Sequence, residues 1–235
     1  MCRKMKRALL CLTLLLTATL AYGQVPGMFQ PLLSGPIIPK IITYQTNAVL
    51  NSPATTFTFS SQAIGTAQAN RYVIVGVGGS NSTRTVSTVT IGGISATQLV
   101  QQQSGIITSA LFIANVPTGT TASIVVTWSG SQDRAGIGVW SATGLSSTSA
   151  NSTGSTTTNN GTITLTTLSG GFAVGFTTQD NFGSTFTWTN LTSSFSSASA
   201  PAIGGAIATT VGGSLGVSNS VSAGSTTWST VAAAF

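Results

Sequence analysis

The sequence lacks most of the side chains that enzymes use for chemistry. It contains no histidine and no glutamate, and both cysteines lie within the first 23 residues. Beyond residue 23, the charged side chains are Lys40, Arg71, Arg84, Asp133, Arg134 and Asp180. Proton transfer, nucleophilic attack and metal binding usually draw on the missing residue types. We therefore expect no catalytic residue, no cofactor-binding residue and no metal ligand, and we expect a structural or binding protein.

Two carboxylates, Asp133 and Asp180, are the only candidates for acid–base chemistry. Hydrolysis of a glycosidic bond would need them roughly 5 to 10 Å apart across a sugar cleft. Each lies in a turn-like stretch, where aspartate commonly bonds to its own backbone. The sequence therefore favours a structural role for both residues over a glycosidase.

The N-terminus has the pattern of a secretory signal peptide. Four basic residues precede an uncharged leucine-rich run from Ala8 to Leu20, and the small residues Ala21 and Gly23 predict cleavage before Gln24. The run is shorter than the roughly 20 residues of a membrane-spanning helix. We expect a signal peptide over residues 1–23, an extracellular protein, and no stable membrane span after cleavage. The alternative is an N-terminus that is retained and used in the assembly of a virion.

The net charge of the chain is concentrated in that leader. The full chain carries +6, but four of its eight basic residues precede the apolar run, so the remainder has four basic and two acidic groups, or +2. Phosphate binding requires clustered lysine and arginine. Nucleic acid is therefore not an expected partner. Without cysteines for disulfides beyond the leader, stability must come from a packed core.

Residues 24–43 form a proline-rich, apolar segment. They hold four of the seven prolines, and proline fixes φ and removes a backbone donor. The segment is thus expected to be an extended arm. Its large apolar side chains are Met28, Phe29, Leu32, Leu33, Ile37 and Ile38. Two interpretations remain open: the arm lies on its own domain, or it docks on a neighbouring subunit as an assembly arm.

Residues 44–235 predict an all-β domain. The segment 54–61 alternates phenylalanine with threonine, as a strand buried on one face does. Residues 72–77 form a continuous apolar run typical of a central strand, and 86–91 predicts a further strand that ends at a glycine turn. Residues 145–160 are expected to form a long exposed connection. With about twelve short strands and no helical period, we expect an antiparallel β-sandwich of the jelly-roll kind.

Two glycine-rich motifs have a structural interpretation. Residues 212–216 match G-x-S-x-G, but the motif needs a histidine base and a strand-to-helix turn. Gly76 to Gly79 resembles a dinucleotide loop only loosely, because its third glycine is misplaced and no helix pattern follows. Both motifs are expected to be β-turns.

Tryptophans and the uncharged surface are the remaining clues to a partner. Trp128, Trp140 and Trp188 fall near predicted strand ends, where they would either fill the core or stack on surface glycans. Outward strand positions are mostly threonine, serine, asparagine and glutamine. Such a surface permits close packing against identical copies without burying ions. We therefore expect a homo-oligomer or a place on a particle surface.

Several segments resemble modules of tailed-phage virion and tail-fibre proteins. They are ATTFTFSS (54–61), AIGTAQANRYVIVGV (63–77), VSTVTIGG (86–93), ALFIANVPTGTTASIVVTWSG (110–130), GIGVW (136–140) and WSTVAAAF (228–235). The resemblance implies a β-sandwich displayed on a virion or a secreted bacterial surface protein, and no catalytic residues. A signal peptide is unusual for a virion protein. The expected function is non-catalytic surface display with self-assembly, and the alternative is a secreted carbohydrate-binding or adhesion module.

Overall fold

A computed structural model describes residues 39–180, 185–221 and 227–235. The predicted signal peptide and the apolar side chains of the predicted arm lie outside these ranges. The chain from Ile38 to Phe235 forms one compact unit. Its first strand begins at Ile41, so the last residues of the segment assigned to the arm belong to the β-domain.

The described residues contain fifteen β-strands and no helix, so the all-β prediction is confirmed. The strands are β1 (Ile41–Leu50), β2 (Ala54–Ala63), β3 (Tyr72–Ser80), β4 (Val86–Ile91), β5 (Ile94–Ser95), β6 (Thr97–Ser104), β7 (Ile107–Asn115), β8 (Thr121–Gln132), β9 (Arg134–Thr143), β10 (Ser152–Thr156), β11 (Ile163–Gln179), β12 (Phe186–Thr189), β13 (Thr192–Ser197), β14 (Ala202–Val221) and β15 (Trp228–Ala234). The expected number of about twelve is too low. One reason is that β10 lies inside the predicted connection 145–160.

The strands form three sheets, and every pairing is antiparallel. The central sheet has the order β1-β9-β3-β7-β6, and the front sheet has the order β2-β8-β4-β5. The back sheet has the order β10-β15-β11-β14-β12, with β13 also paired to β14. The strands up to β9 belong to the central or the front sheet, and the chain crosses repeatedly between these two sheets, whereas all later strands belong to the back sheet. This layered, antiparallel arrangement is consistent with a β-sandwich.

The first core cluster joins the front and central sheets. On β2, Phe57 and Phe59 are buried while Thr56 and Thr58 are exposed, which confirms the predicted alternation. These rings share a cluster with side chains from β4 and β8 of the front sheet and from β3, β7 and β9 of the central sheet. Burial of one apolar side chain contributes roughly 1.5–3 kcal/mol, so this cluster fixes one layer against the other.

The second core cluster lies on the opposite face of the central sheet. Along β3, Val73 and Val75 belong to the first cluster, while Ile74 packs with Phe172 and Phe176 of the back sheet. The central sheet is therefore covered on both faces, which explains the continuous apolar run predicted as a central strand. That strand is confirmed, and it extends to Ser80.

The glycines of β3 permit the sheets to approach closely. A Cβ on Gly76 would overlap the ring of Phe176 in the back sheet, and a Cβ on Gly79 would overlap Trp128 in the front sheet. The prediction of a β-turn at Gly76 to Gly79 is wrong, because these glycines lie inside β3. Glycine is needed at positions 76 and 79 because aromatic rings from the two neighbouring sheets occupy the space that a side chain would fill.

The back sheet also carries apolar side chains on its outer face. The strand β11 spans two predicted strands, which are joined at a register shift between Thr167 and Gly171. Its first half brings Ile163 and Leu165 into a third cluster with Ala232 of β15. The first half of β11 and the second half of β14 therefore fold over this face.

The motif G-x-S-x-G lies inside β14, so the β-turn predicted for 212–216 is wrong.

Hydroxyl groups are also used inside the protein, between the central and back sheets and on the opposite face of the back sheet. Ser109 Oγ lies 2.8 Å from Thr178 Oγ1 and donates to the Ser229 carbonyl at 2.8 Å. Thr177 and Thr230 pair through their hydroxyls at 2.9 Å. All five residues are buried. Such mutual pairing satisfies groups whose burial would otherwise be costly, so part of the serine and threonine content is structural.

Candidate interaction surface

The outward face of the front sheet presents hydroxyl groups from three adjacent strands. The backbone register aligns Thr56 of β2, Thr127 of β8 and Thr88 of β4 in one row. In this row the hydroxyls of Thr56 and Thr127 are 3.5 Å apart. We call the outward side chains of β2, β4 and β8 the hydroxyl face.

A second row of the hydroxyl face has an apolar centre. Thr58 and Thr90 pair with Val125 from either side. Neighbouring strands are about 4.8 Å apart, and alternate residues of one strand are about 6.7 Å apart. The face is thus a repeating array in which each threonine contributes a hydroxyl and a methyl group. The strands β2, β4, β5 and β8 contain no charged residue.

A similar surface lies on the outside of the back sheet. There Thr164 and Thr166 are exposed on the first half of β11, and Thr187 and Thr189 are exposed on β12. Serines of β14 pair with three of them, at Thr166, Thr187 and Thr189. Both outer surfaces of the layered structure therefore present uncharged hydroxyl groups.

The predicted glycan-contact residues are in the core. Trp128, Trp140 and Trp188 are 2%, 0% and 9% exposed, and Trp228 is also buried at 2%. The Trp140 ring packs with Phe195 at a centroid distance of 5.9 Å. Because a sugar can stack only on an accessible ring face, these tryptophans cannot act as glycan platforms. Of the two interpretations of these residues, core filling is the one that fits the structure.

Burial of all four tryptophans leads to a spectroscopic prediction. We expect the native protein to emit at short wavelength and acrylamide to quench it several-fold less than it quenches free tryptophan. Unfolding in urea should shift the emission to longer wavelength and remove this protection. Strong quenching of the native protein would mean that at least one indole is accessible, and it would restore the stacking hypothesis for that residue.

Tyr44 lies beside the tryptophan-rich core at the edge of the central sheet. Its ring stacks on Phe195 at 5.4 Å and meets Trp140 edge-on at 6.4 Å. Burial raises the pKa of the Tyr44 hydroxyl above 10.0, and the hydrogen bond donated by Asn47 at 2.8 Å offsets part of this rise. As the pH rises, the hydroxyl of Tyr44 therefore loses its proton later in the folded protein than in the unfolded chain. The stability that Tyr44 contributes is therefore present below pH 10 and is lost as the pH rises through its folded pKa.

The two aspartates lie at the same end of the molecule. Asp133 precedes β9 and accepts a hydrogen bond from Ser82 Oγ at 3.2 Å, whereas Asp180 follows β11. These strand ends are close, because Gly78 pairs with Gly136 of β9 and contacts Thr178 of β11. Neither aspartate lines the cavity beside β1 and β9, the one beside Leu145 and Phe235, or the one beside Tyr44 and Ile207.

Arg71 is the one buried charged residue in the part of the chain that the structure describes, and its role was not predicted. Only 1% of the residue is exposed. Its guanidinium donates to the carbonyls of Gly65 (2.6 Å), Val116 (2.8 Å), Thr118 (2.7 Å) and Gly119 (2.8 Å). Burial lowers the pKa of the guanidinium from its usual value. The side chain thereby joins the β2–β3 loop to the β7–β8 loop.

Comparison with known proteins gives no match: no protein family, no curated protein and no solved structure is significantly similar to the chain. Among the described residues, no helix is long and apolar enough to cross a membrane.

Proposed function

We propose that the chain is a non-catalytic structural protein that is displayed on a phage virion or in a secreted extracellular assembly and that self-associates. The observation that carries this proposal is the hydroxyl face, a sheet surface built from threonine, serine and valine without a charged side chain. The virion setting is suggested by the sequence patterns of residues 54–235, which resemble those of phage virion modules.

We further propose that residues 41–143 form a β-sandwich of the jelly-roll type, a fold that suits this role. Its support is the strand order: β1-β9-β3-β7 in the central sheet and β2-β8-β4-β5 in the front sheet. Four strands of the central sheet face four strands of the front sheet in the order typical of the jelly rolls of capsid and lectin domains, and β6 adds a fifth strand at the edge of the central sheet. Residues 152–235 then supply an additional sheet that covers the free face of the central sheet.

Self-association through the hydroxyl face would not require the desolvation of a charged side chain. Removing a charged side chain from water costs several kcal/mol unless a partner compensates for it, and monomeric proteins use charges to keep sheets apart. The hydroxyl face has no charged side chain that would have to be desolvated on contact, and no charge that would repel a second copy. Threonine methyl groups and Val125 supply apolar area, while hydroxyls can pair with those of a second copy. Contact between two such faces is therefore favourable.

Adding charge to the hydroxyl face tests the proposal. We expect the double substitution Thr58→Lys and Thr90→Lys to weaken self-association at least about tenfold, because two ammonium groups would flank Val125 and would have to be desolvated in the contact. Sedimentation velocity over a range of protein concentrations measures the effect. The strand pairing should not change, since both side chains point outward.

The matched control is Thr157→Lys with Asn159→Lys, which adds the same charge to an exposed turn between β10 and β11. This variant should associate like the unmodified protein. Equal association of all three proteins would show that the hydroxyl face takes no part. A chain that remains monomeric at every concentration would disprove self-association itself.

The alternative function, carbohydrate binding or adhesion, needs a site other than the tryptophans, because those are buried. A polar cavity on the central sheet is the observation that favours it.

A further inference from the structure

A polar cavity lies at the edge of the central sheet. It has a volume of about 280 Å³ and is bordered by β1, by the end of β9 and by the loop between β2 and β3. Its lining side chains are mainly amides and hydroxyls: Thr43, Gln45, Thr66, Gln68, Ser141 and Thr143, together with Arg71 and Ile41. Gln45 donates to Ser141 Oγ at 2.8 Å, which holds one amide of the lining in place before any ligand arrives.

Arg71 gives this cavity its positive charge. It is the one charged residue of the lining, and its described hydrogen-bond partners are four neutral carbonyls. A guanidinium has five N–H donors, and these contacts use four of them. Within the described part of the chain, the charge is therefore held by carbonyl dipoles and not by a carboxylate. An anion in the cavity would be attracted by this charge, weakened by the carbonyl oxygens that surround the guanidinium.

The distribution of the other charges strengthens this field. Asp133 lies at the start of β9, whereas Ser141 and Thr143 of the cavity lie at its end, about 30 Å away at the rise of a β-strand. Asp180 is at the same end as Asp133, as the contacts of Gly78 show. Both acids of the protein are thus remote from the cavity.

We propose that this cavity binds the carboxylated sugar residue of an acidic glycan, such as a hexuronate. The carboxylate is attracted by Arg71, and the sugar hydroxyls pair with the amides of Gln45 and Gln68 and with the hydroxyls of the lining. The volume is just below the range for cavities that hold drug-sized ligands, roughly 300–1,000 Å³, so the cavity suits one sugar residue and not a longer oligosaccharide. The site is separate from the hydroxyl face and does not depend on self-association.

A nuclear magnetic resonance titration of the isotope-labelled chain tests this proposal with three probes: glucuronate, glucose and sulfate. Glucuronate should shift the amide signals of residues 43–45, 65–68 and 141–143. It should bind about tenfold more tightly than glucose, a difference of about 1.4 kcal/mol, because the buried charge of Arg71 attracts the carboxylate and glucose has no charge. It should also bind more tightly than sulfate, which lacks the hydroxyl pattern.

The variants Gln68→Ala and Gln45→Ala each remove one amide of the lining, and both should weaken glucuronate binding several-fold. Gln98→Ala is the control: Gln98 is an exposed glutamine of β6, at the opposite edge of the central sheet. Arg71 is left intact in all variants because its loss would affect folding.

Three results would overturn the proposal. They are equal affinity for glucose and glucuronate, equal affinity for sulfate and glucuronate (a simple anion site), and the absence of shifts around the cavity. None of these results bears on self-association, which sedimentation measures separately.

Discussion

The substitution Gly76→Val is expected to destabilise the protein by about 3 kcal/mol or more, at the upper end of the range for overpacked cores. Gly76 lies in the middle of β3, and any Cβ at this position would overlap the Phe176 ring, whose Cε2 would be only 2.9 Å away. The ring cannot retreat easily, because it packs in the cluster between the central and back sheets. The midpoint of urea unfolding should fall accordingly, with little change in the slope.

Gly216→Ala is the matched control for this experiment. Gly216 lies in β14, and the nearest atom to its added Cβ is the Thr162 methyl group at 3.4 Å, an ordinary contact. We expect this substitution to change stability by less than about 1 kcal/mol. If Gly76→Val were as stable as Gly216→Ala, Phe176 would not lie over β3, and the packing of central on back sheet would be wrong.

The substitution Arg71→Met should cost about 3–5 kcal/mol of stability, comparable to breaking a buried charged pair. Methionine fills part of the volume but donates no hydrogen bond, so four carbonyls from two loops lose their partner. An unsatisfied buried polar group costs about 1–3 kcal/mol, and entry of water into the loops limits the total. Thermal or urea unfolding measures the loss.

Two further variants separate geometry from charge. Arg71→Lys keeps the charge but cannot span four carbonyls with one ammonium group, so it should be nearly as unstable as Arg71→Met. Arg84→Met removes an exposed arginine whose side chain donates a hydrogen bond to the neighbouring Thr83 carbonyl, and it should change stability by about 0.5 kcal/mol or less. If Arg71→Lys retained full stability, the charge and not the bonding geometry would be the important feature.

Local sequence patterns predicted those parts of the fold that depend on one strand and its two faces. The phenylalanine–threonine alternation of 54–61 specifies which side of β2 is buried, and the bounds of β4 were predicted as the structure has them. The glycines at 76–79 could not be read in this way. Their sequence resembles a turn. Glycine is required there because Phe176 and Trp128 occupy the side-chain space, and these residues are distant in sequence and contact β3 only through sheet packing.

The same limit applies to the candidate sites. The sequence indicated an uncharged, hydroxyl-rich surface, yet only the pairing of β2 and β4 with β8 places Thr56, Thr88 and Thr127 in one row. In the sequence Arg71 looks like an isolated cation, because its partners are backbone carbonyls, which any residue can supply. The tryptophans were candidates for contact with sugars, and their burial is decided by glycines and aromatic rings of neighbouring sheets.

The most direct test of self-association through uncharged surfaces is sedimentation velocity of the unmodified protein at rising concentration, in low and in high sodium chloride. The account predicts a sedimentation coefficient that rises with concentration and is nearly the same in both salts, because exposed ion pairs are screened by salt and hydroxyl contacts are not. A coefficient that stays at the monomer value, or an association that high salt abolishes, would contradict it.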